Sequence, residues 1–246
     1  MGNLYALVVT GLVMVALLSA LGLLAVNKVV PSDVSRKLMH TSAGLLFMFL
    51  WPLYEDSPYS KYLAASLIAG ISLYFAAVGL GFFKDHMKLT IAATRTGRSK
   101  DLLKGPMLYG LVHTAVTAIY WRDSPVGVMS LCALCGGDGL AVFGGLLGRR
   151  LGPLGAATLP WNHKKTWAGS LACLLGSFCT SVPLMTLFIN HGFFHLEAHE
   201  LIRGCAICSA VGMLVESLPI IEYDNLTVPV AVAISSQQVM SHAVFN

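Results

Sequence analysis

The chain has 246 residues, of which 56% are hydrophobic and 11% charged, where a soluble domain carries about 45–50% and about 25%. Its 16 basic and 12 acidic residues cannot cover a soluble core of this size, and the low charge excludes intrinsic disorder. The six cysteines do not form the pattern of a secreted disulfide scaffold, so a net charge of +4 on an apolar chain describes a membrane protein.

A helix needs roughly 20 apolar residues to cross a ~30 Å hydrocarbon layer, and eight runs reach or approach that length. Leu4–Val26 comes first. It is too long for the apolar region of a signal peptide, so it is expected to stay as a helix. Thr41–Tyr54 is short and is expected to be re-entrant, tilted or extended into its polar flanks. Tyr62–Phe83 follows, free of ionisable groups, then Gly105–Trp121 with His113 and Ser124–Leu147 with Asp138. Trp167–Asn190 is again uncharged, Gly204–Ile221 carries Glu216, and Leu226–Met240 is short. The expected fold is all-α, a polytopic integral membrane helical bundle of seven or eight spans, with 1–246 as a single membrane domain.

The charges alternate between the gaps. Thirteen of the 16 Lys and Arg residues fall after runs one, three and five, which places those gaps on the cytoplasmic or equivalent organellar face. The odd-numbered gaps also hold His40, Asp101, the segment Pro160–Thr166 (PWNHKKT), Glu222, Asp224 and Asn225. Basic loops alone would serve topology. Carboxylates among them ask for another reason, and a magnesium-bound polyphosphate supplies one, since it needs acids for the metal and Lys or Arg for the phosphates.

Asp138 sits deep in its run, within Gly136-Gly137-Asp138-Gly139. A carboxylate at such depth costs ~2.5–3.5 kcal/mol on insertion scales, which makes it a functional candidate; the plainer role is an ion pair that glues helices together. The glycines around it permit a broken helix or close backbone approach to a ligand. Glu216 is a second embedded acid, two turns before Asp224 if its helix continues to Ile221, with Pro219 placed to bend it. No P-loop, kinase H-R-D or D-F-G set, G-x-G-x-x-G fingerprint or G-x-S-x-G elbow is present. Cys132-x-x-Cys135 and Cys205-x-x-Cys208 imitate a zinc pattern, but in apolar runs such cysteines act as small hydrophobes. His191, His195 and His199 recur every four residues, a spacing that would stack them on one face of an interfacial amphipathic helix. His113 reads as a hydrogen-bonded core residue.

Taken as a set, the motifs resemble those of the polyprenol kinase family, in particular its phytol and farnesol kinase branch, with dolichol kinases and CTP-dependent diacylglycerol kinases as relatives. Arg36-Lys37-Leu38-Met39-His40 is similar to the family's RKxxH, Leu103–Tyr109 to LLKGPxxY, Gly137–Ala141 to GDGxA and Gly148–Gly152 to GRRxG. Leu159–Ser170 resembles LPWNxxKSWAGS, Glu216–Pro219 ESLP, and Asp224–Pro229 DNxTVP. The resemblance implies a membrane enzyme that moves the γ-phosphate of a nucleotide, typically CTP, with Mg²⁺, onto the hydroxyl of an isoprenoid alcohol such as phytol. It implies no nucleic-acid partner, and a phytol kinase would suit a chloroplast or other photosynthetic membrane. Carried over residue by residue, Asp138 and Asp224 are assigned to the metal or to orienting the hydroxyl, with Asn225 a further metal candidate and Glu216 in support. Arg149, Arg150, Lys164 and Lys165 are assigned to the triphosphate, with Arg36, Lys37, Asn162, Gly137 and Gly139. His40 is assigned to a phosphate, a carboxylate or the alcohol. One departure stands out: relatives carry a second Asp directly after GDGxA, where this chain has Val142.

Other functions fit parts of the pattern. Farnesol, geranylgeraniol or dolichol would be alternative acceptors. Lys164–Gly169 also resembles the KKTWEG-like stretch of phosphatidate cytidylyltransferases, which release pyrophosphate where a kinase releases CDP. A transporter for an anionic solute would share the embedded acids and basic mouth, but internal repeats are not visible.

Overall fold

A computed structural model describes residues 2–83, 87–94, 96–219 and 223–240. These residues are mainly helical, and the chain divides into two compact units, Met1–Ile119 and Tyr120–Asn246.

The first unit contains α1 (Asn3–Val26), α2 (Ser32–Phe49), α3 (Ser60–Gly79), α4 (Met87–Ala93) and α5 (Gly105–Ile119). The short second run is extended N-terminally into its polar flank, so α2 begins at Ser32 and carries Arg36, Lys37 and His40 on helical backbone. It ends at Phe49, ahead of a 3₁₀ turn over Trp51–Leu53 that contains Pro52, a residue that denies the helix an N–H. Helix α4 and a 3₁₀ turn over Ser99–Leu103 lie in the basic third gap. Buried Met39, Phe75, Val78, Ala92 and Leu102 form the core of this unit.

In the second unit a continuous helical run covers Pro125–Arg150. It consists of α6 (Pro125–Cys132), a π-helical turn (Ala133–Asp138) and α7 (Gly139–Arg150). Ser124 starts it, its hydroxyl accepting the Val126 N–H at 3.3 Å, with Pro125 at the first helical position where a missing donor does no harm. A small antiparallel hairpin follows, β1 (Thr158–Leu159) and β2 (Asn162–Thr166), turning on Pro160-Trp161. Then come α8 (Trp167–Asn190), α9 (Ala198–Ser217) and α10 (Asp224–Val239). Helix α8 packs on α6, the π turn, α7 and α9, while α10 packs on α6 and α9.

Small residues set these contacts. A Cβ on Gly136 would lie 2.7 Å from the Gly176 carbonyl oxygen, and one on Gly144 2.7 Å from that of Ala168. Two backbones this close exclude any side chain at the crossing, which is how helices gain contact where lipid is as apolar as leucine. Across the α8–α9 contact the Ser209 hydroxyl donates to Ser177 Oγ at 3.0 Å.

The structure corrects several expectations. Among the described residues five helices are long and apolar enough to cross a membrane: Asn3–Val26, Ser60–Gly79, Pro125–Arg150, Trp167–Asn190 and Ala198–Ser217. The expected seven or eight is above this number, because α2, α5 and α10 have 18, 15 and 16 residues and fall short in length or apolarity. Helix α9 starts at Ala198 rather than Gly204, since Glu197 and Glu200 form a reciprocal capping box there. It stops at Ser217 rather than bending on to Ile221: Leu218 precedes Pro219 and is forced to extended backbone, φ −67° and ψ 154°. The three histidines do not share a helix face. His191 follows the end of α8, Gly192 turns the chain with φ +75°, and only His199 lies in α9.

Candidate active site

The π turn ends on Asp138. Widening the helix by one residue per turn is a local departure from α geometry that recurs at functional sites, and here it falls on the Gly136-Gly137-Asp138 segment where a broken helix was expected. The glycines bring this backbone against α8, where a Cβ on Gly137 would meet the Cys173 carbonyl oxygen, the Cys173 sulfur and Ser177 Cβ, each at 3.3 Å. Asp138 is thereby held at 2% exposure, and Gly139 is buried behind it.

Glu216, also 2% exposed, occupies the last turn of α9. Its carboxylate forms an ion pair with the Lys165 ammonium from β2. Burial pulls Lys165 toward its neutral form, but Glu216, with Asp138 and Asp224 adding to it, outweighs this and raises the lysine pKa above its ordinary value. Lys165 thus pairs with Glu216 and also feels the carboxylates of Asp138 and Asp224. Asp224 opens α10, where the helix dipole favours an acid, and its Oδ1 accepts the Asn225 N–H at 3.0 Å. Asn225 itself is buried.

The hairpin that delivers Lys165 is tied to the end of α9. The Asn162 amide donates to the carbonyl oxygens of Ser217 at 3.0 Å and Leu218 at 3.1 Å, and its Oδ1 accepts the Lys164 N–H at 3.2 Å. The Trp161 indole N–H donates to Ser217 Oγ at 3.2 Å, and its ring meets Trp167 edge-on at 5.6 Å. Thr166 then caps α8 through the Gly169 N–H at 3.1 Å.

The remaining candidates distribute as follows. Lys164, Arg149 and Arg150 are exposed, the two arginines in the last turn of α7. Val142 is a half-buried residue of α7. Arg36, Lys37 and His40 belong to the first unit, with Lys37 buried. His40 packs its ring on Tyr109 with centroids 4.2 Å apart, and the Tyr109 hydroxyl donates to the His40 carbonyl at 2.5 Å. The His113 ring also lies against Tyr109, tilted, with centroids 4.1 Å apart and its Nδ1 3.0 Å from the Tyr109 carbonyl. Asp101 is engaged within its own loop by Thr96 and by Arg98. Glu222 lies outside the described residues. Cys132, Cys135, Cys205 and Cys208 are buried in the helix packing.

Sequence reasoning missed Tyr109, Trp161 and Ser217 as partners of the candidate residues. Tyr109 and Trp161 had a signal, each standing inside a motif segment, whereas nothing local marks Ser217 as a partner of a hairpin over fifty residues earlier.

Among the described residues no three His, Cys, Asp or Glu side chains gather as a metal-ligand group. Magnesium ordinarily takes one or two carboxylates together with phosphate oxygens and water. The two carboxylates that such a site would draw on, Asp138 and Asp224, stand on the π turn and at the start of α10, and Glu216 is already engaged by Lys165.

Apolar helices that could span a bilayer, with buried Asp138 and a buried Glu216 paired to Lys165, define a polytopic integral membrane protein with a polar site. No family model matches the chain, and no solved structure matches it. Curated relatives do. It is 35% identical over 212 residues to "Phytol kinase 1, chloroplastic" of Arabidopsis thaliana, covering 85% of this chain and 67% of that protein. It is 37% identical over 230 residues to "Probable phytol kinase 3, chloroplastic" of Glycine max, covering 92% and 69%. Against "Probable phytol kinase 2, chloroplastic" of Oryza sativa subsp. japonica it is 38% identical over 224 residues, covering 90% and 71%. The chain belongs to the phytol kinase family.

Proposed function

We propose that this protein phosphorylates phytol within a chloroplast or other photosynthetic membrane, using the γ-phosphate of CTP with Mg²⁺ and giving phytyl phosphate and CDP. The observation that carries this reading is the Lys165–Glu216 ion pair at the end of α9, beside a π turn that packs on α9 and buries Asp138, in a chain of this family.

The phytol oxygen attacks the γ-phosphorus, the bond to the β–γ bridging oxygen breaks, and CDP leaves with that electron pair. Phosphoryl transfer asks a protein mainly to position groups and neutralise charge. Asp138 and Asp224 hold the metal or orient the attacking hydroxyl and take its proton, with Asn225 beside them. A metal held by Asp138 and Asp224 would supply positive charge to the polyphosphate. Glu216 holds Lys165, and Lys165 faces the transferring phosphoryl group. Lys164, Arg149 and Arg150 bind the rest of the triphosphate from the exposed side. The apolar helices keep the isoprenoid tail in hydrocarbon while its hydroxyl reaches the acids.

The test is lipid extraction after incubating the purified protein in liposomes with Mg²⁺, γ-labelled CTP or ATP, and phytol, geranylgeraniol, farnesol, dolichol or diacylglycerol. Label in phytol from CTP is expected. Label in another alcohol changes the substrate, and release of pyrophosphate instead of CDP replaces the kinase by a cytidylyltransferase. The site is proposed to face the stromal or cytoplasmic side. Labelling of single cysteines at residues 100 and 163 from that side is expected; labelling from opposite sides would overturn the orientation.

A further inference from the structure

Pro219 has a structural effect beyond ending α9. With Leu218 forced into extended backbone, the carbonyls at the helix end lose the N–H partners that a further turn would have brought. Two of them, Ser217 and Leu218, receive the two hydrogens of the Asn162 amide, at 3.0 and 3.1 Å. The remaining acceptor of that side chain takes the Lys164 N–H at 3.2 Å. Asn162 is 8% exposed, and both donors and its acceptor oxygen are used within the protein. It is the C-terminal cap of α9, supplied by another segment. The Trp161 indole adds a second tie to Ser217. The consequence falls three residues along β2, where Lys165 meets Glu216, the residue directly before Ser217.

We infer that Asn162 is a positioning residue, not a nucleotide ligand: by capping α9 it sets the hairpin so that the Lys165 ammonium sits on Glu216 and faces the transferring phosphoryl group. Holding a phosphate would need a free donor in Asn162, and both amide hydrogens are committed to the Ser217 and Leu218 carbonyls. A hairpin of two and five residues has little core of its own, so its place depends on such ties. The inference rests on the role proposed above for Lys165.

The experiment compares Asn162→Ala, Lys165→Met and the double variant in liposomes, reading kcat and the KM for CTP, with Trp161→Phe as a milder cut that removes only the indole donor. A misplaced catalytic group can lose about 100-fold. Asn162→Ala is expected to lower kcat by about that factor with KM for CTP within about twofold, and to add less than about threefold to the loss in Lys165→Met, because both act through one contact. Trp161→Phe should lower kcat in the same direction by less, in a protein that folds even if Asn162→Ala does not. A tenfold rise in KM with kcat retained, or losses that multiply in the double variant, would make Asn162 a ligand in its own right and overturn the inference. If Lys165→Met leaves kcat unchanged, the role of the lysine fails and the inference with it. If Lys165→Met is inactive while Asn162→Ala and Trp161→Phe are normal, only the positioning fails.

Discussion

Helix α1 and the run Pro125–Arg150 are of similar length, 24 and 26 residues, yet the more apolar of the two is the less buried. In the most apolar stretch of α1 17% of residues are buried, against 83% in Pro125–Arg150. A soluble protein would reverse this. In a bilayer the solvent is itself hydrocarbon, so leucine and valine gain nothing by turning inward, and the interior goes to residues that bring backbones close or must be kept from lipid. Leu4, Val8, Leu12 and Val15 of α1 are accordingly exposed, whereas Gly136, Gly137, Gly144 and Asp138 of the inner run lie against other helices.

The contrast can be broken by substitution. Asp138→Asn keeps the shape of the inner run and removes one charge, and it should lower phosphoryl transfer by about 100-fold or more, the scale of a lost acid–base or metal-holding group. Turnover in liposomes measures it, with unchanged detergent elution showing that the helices still pack; near-normal turnover would remove Asp138 from the site. Next in size is Gly176→Leu. A Cβ there already comes within 2.9 Å of Leu140 and meets the Gly136 carbonyl, so the added side chain should destabilise the α7–α8 contact by about 1–3 kcal/mol. A lowered thermal midpoint in detergent is the expected result.

A smaller effect concerns pH. Lys165 has its pKa raised above the ordinary lysine value of 10.5, because Glu216, Asp138 and Asp224 together outweigh the opposing effect of burial. A raised pKa means that the pair's contribution is complete below the unfolded value and is lost only as pH climbs past the folded one. Stability should therefore show no loss from this pair between about pH 7 and about pH 10. A step in that interval, present in the wild type and absent in Lys165→Met, would contradict the ion pair. Smallest of all, Leu12→Ala in α1 exchanges one lipid-facing apolar group for another and should change the thermal midpoint by no more than an ordinary surface substitution, within about 0.5 kcal/mol. A core-sized loss would show that α1 is covered by something other than lipid.

Much of the site was legible because depth and charge are readable along a chain. An acid among glycines in an apolar run pointed to Asp138 and to a distorted helix, and the π turn lies there. Glu216, Asp224 and Lys165 were marked by the same scarcity of charge. Boundaries were less legible. The start of α9 was set by the Glu197–Glu200 capping box and its end by Pro219, whereas apolar length alone pointed to Gly204 and Ile221. The hairpin was not anticipated, since two and five residues of strand leave no periodicity to read.

The sequence by itself determined the solvent of this protein and the candidates for its chemistry: 11% charge requires a membrane, and ions placed inside apolar runs demand a reason. Only the tertiary structure decided their pairing. Asn162, read as a nucleotide contact, spends its amide on the end of α9, and Glu216, read inside a run continuing to Ile221, faces Lys165 from the last turn of a helix that stops at Ser217. The physical reason is the same in both cases. A helix end leaves backbone carbonyls that must find donors, and which distant segment supplies them is a matter of three-dimensional proximity that no local pattern encodes.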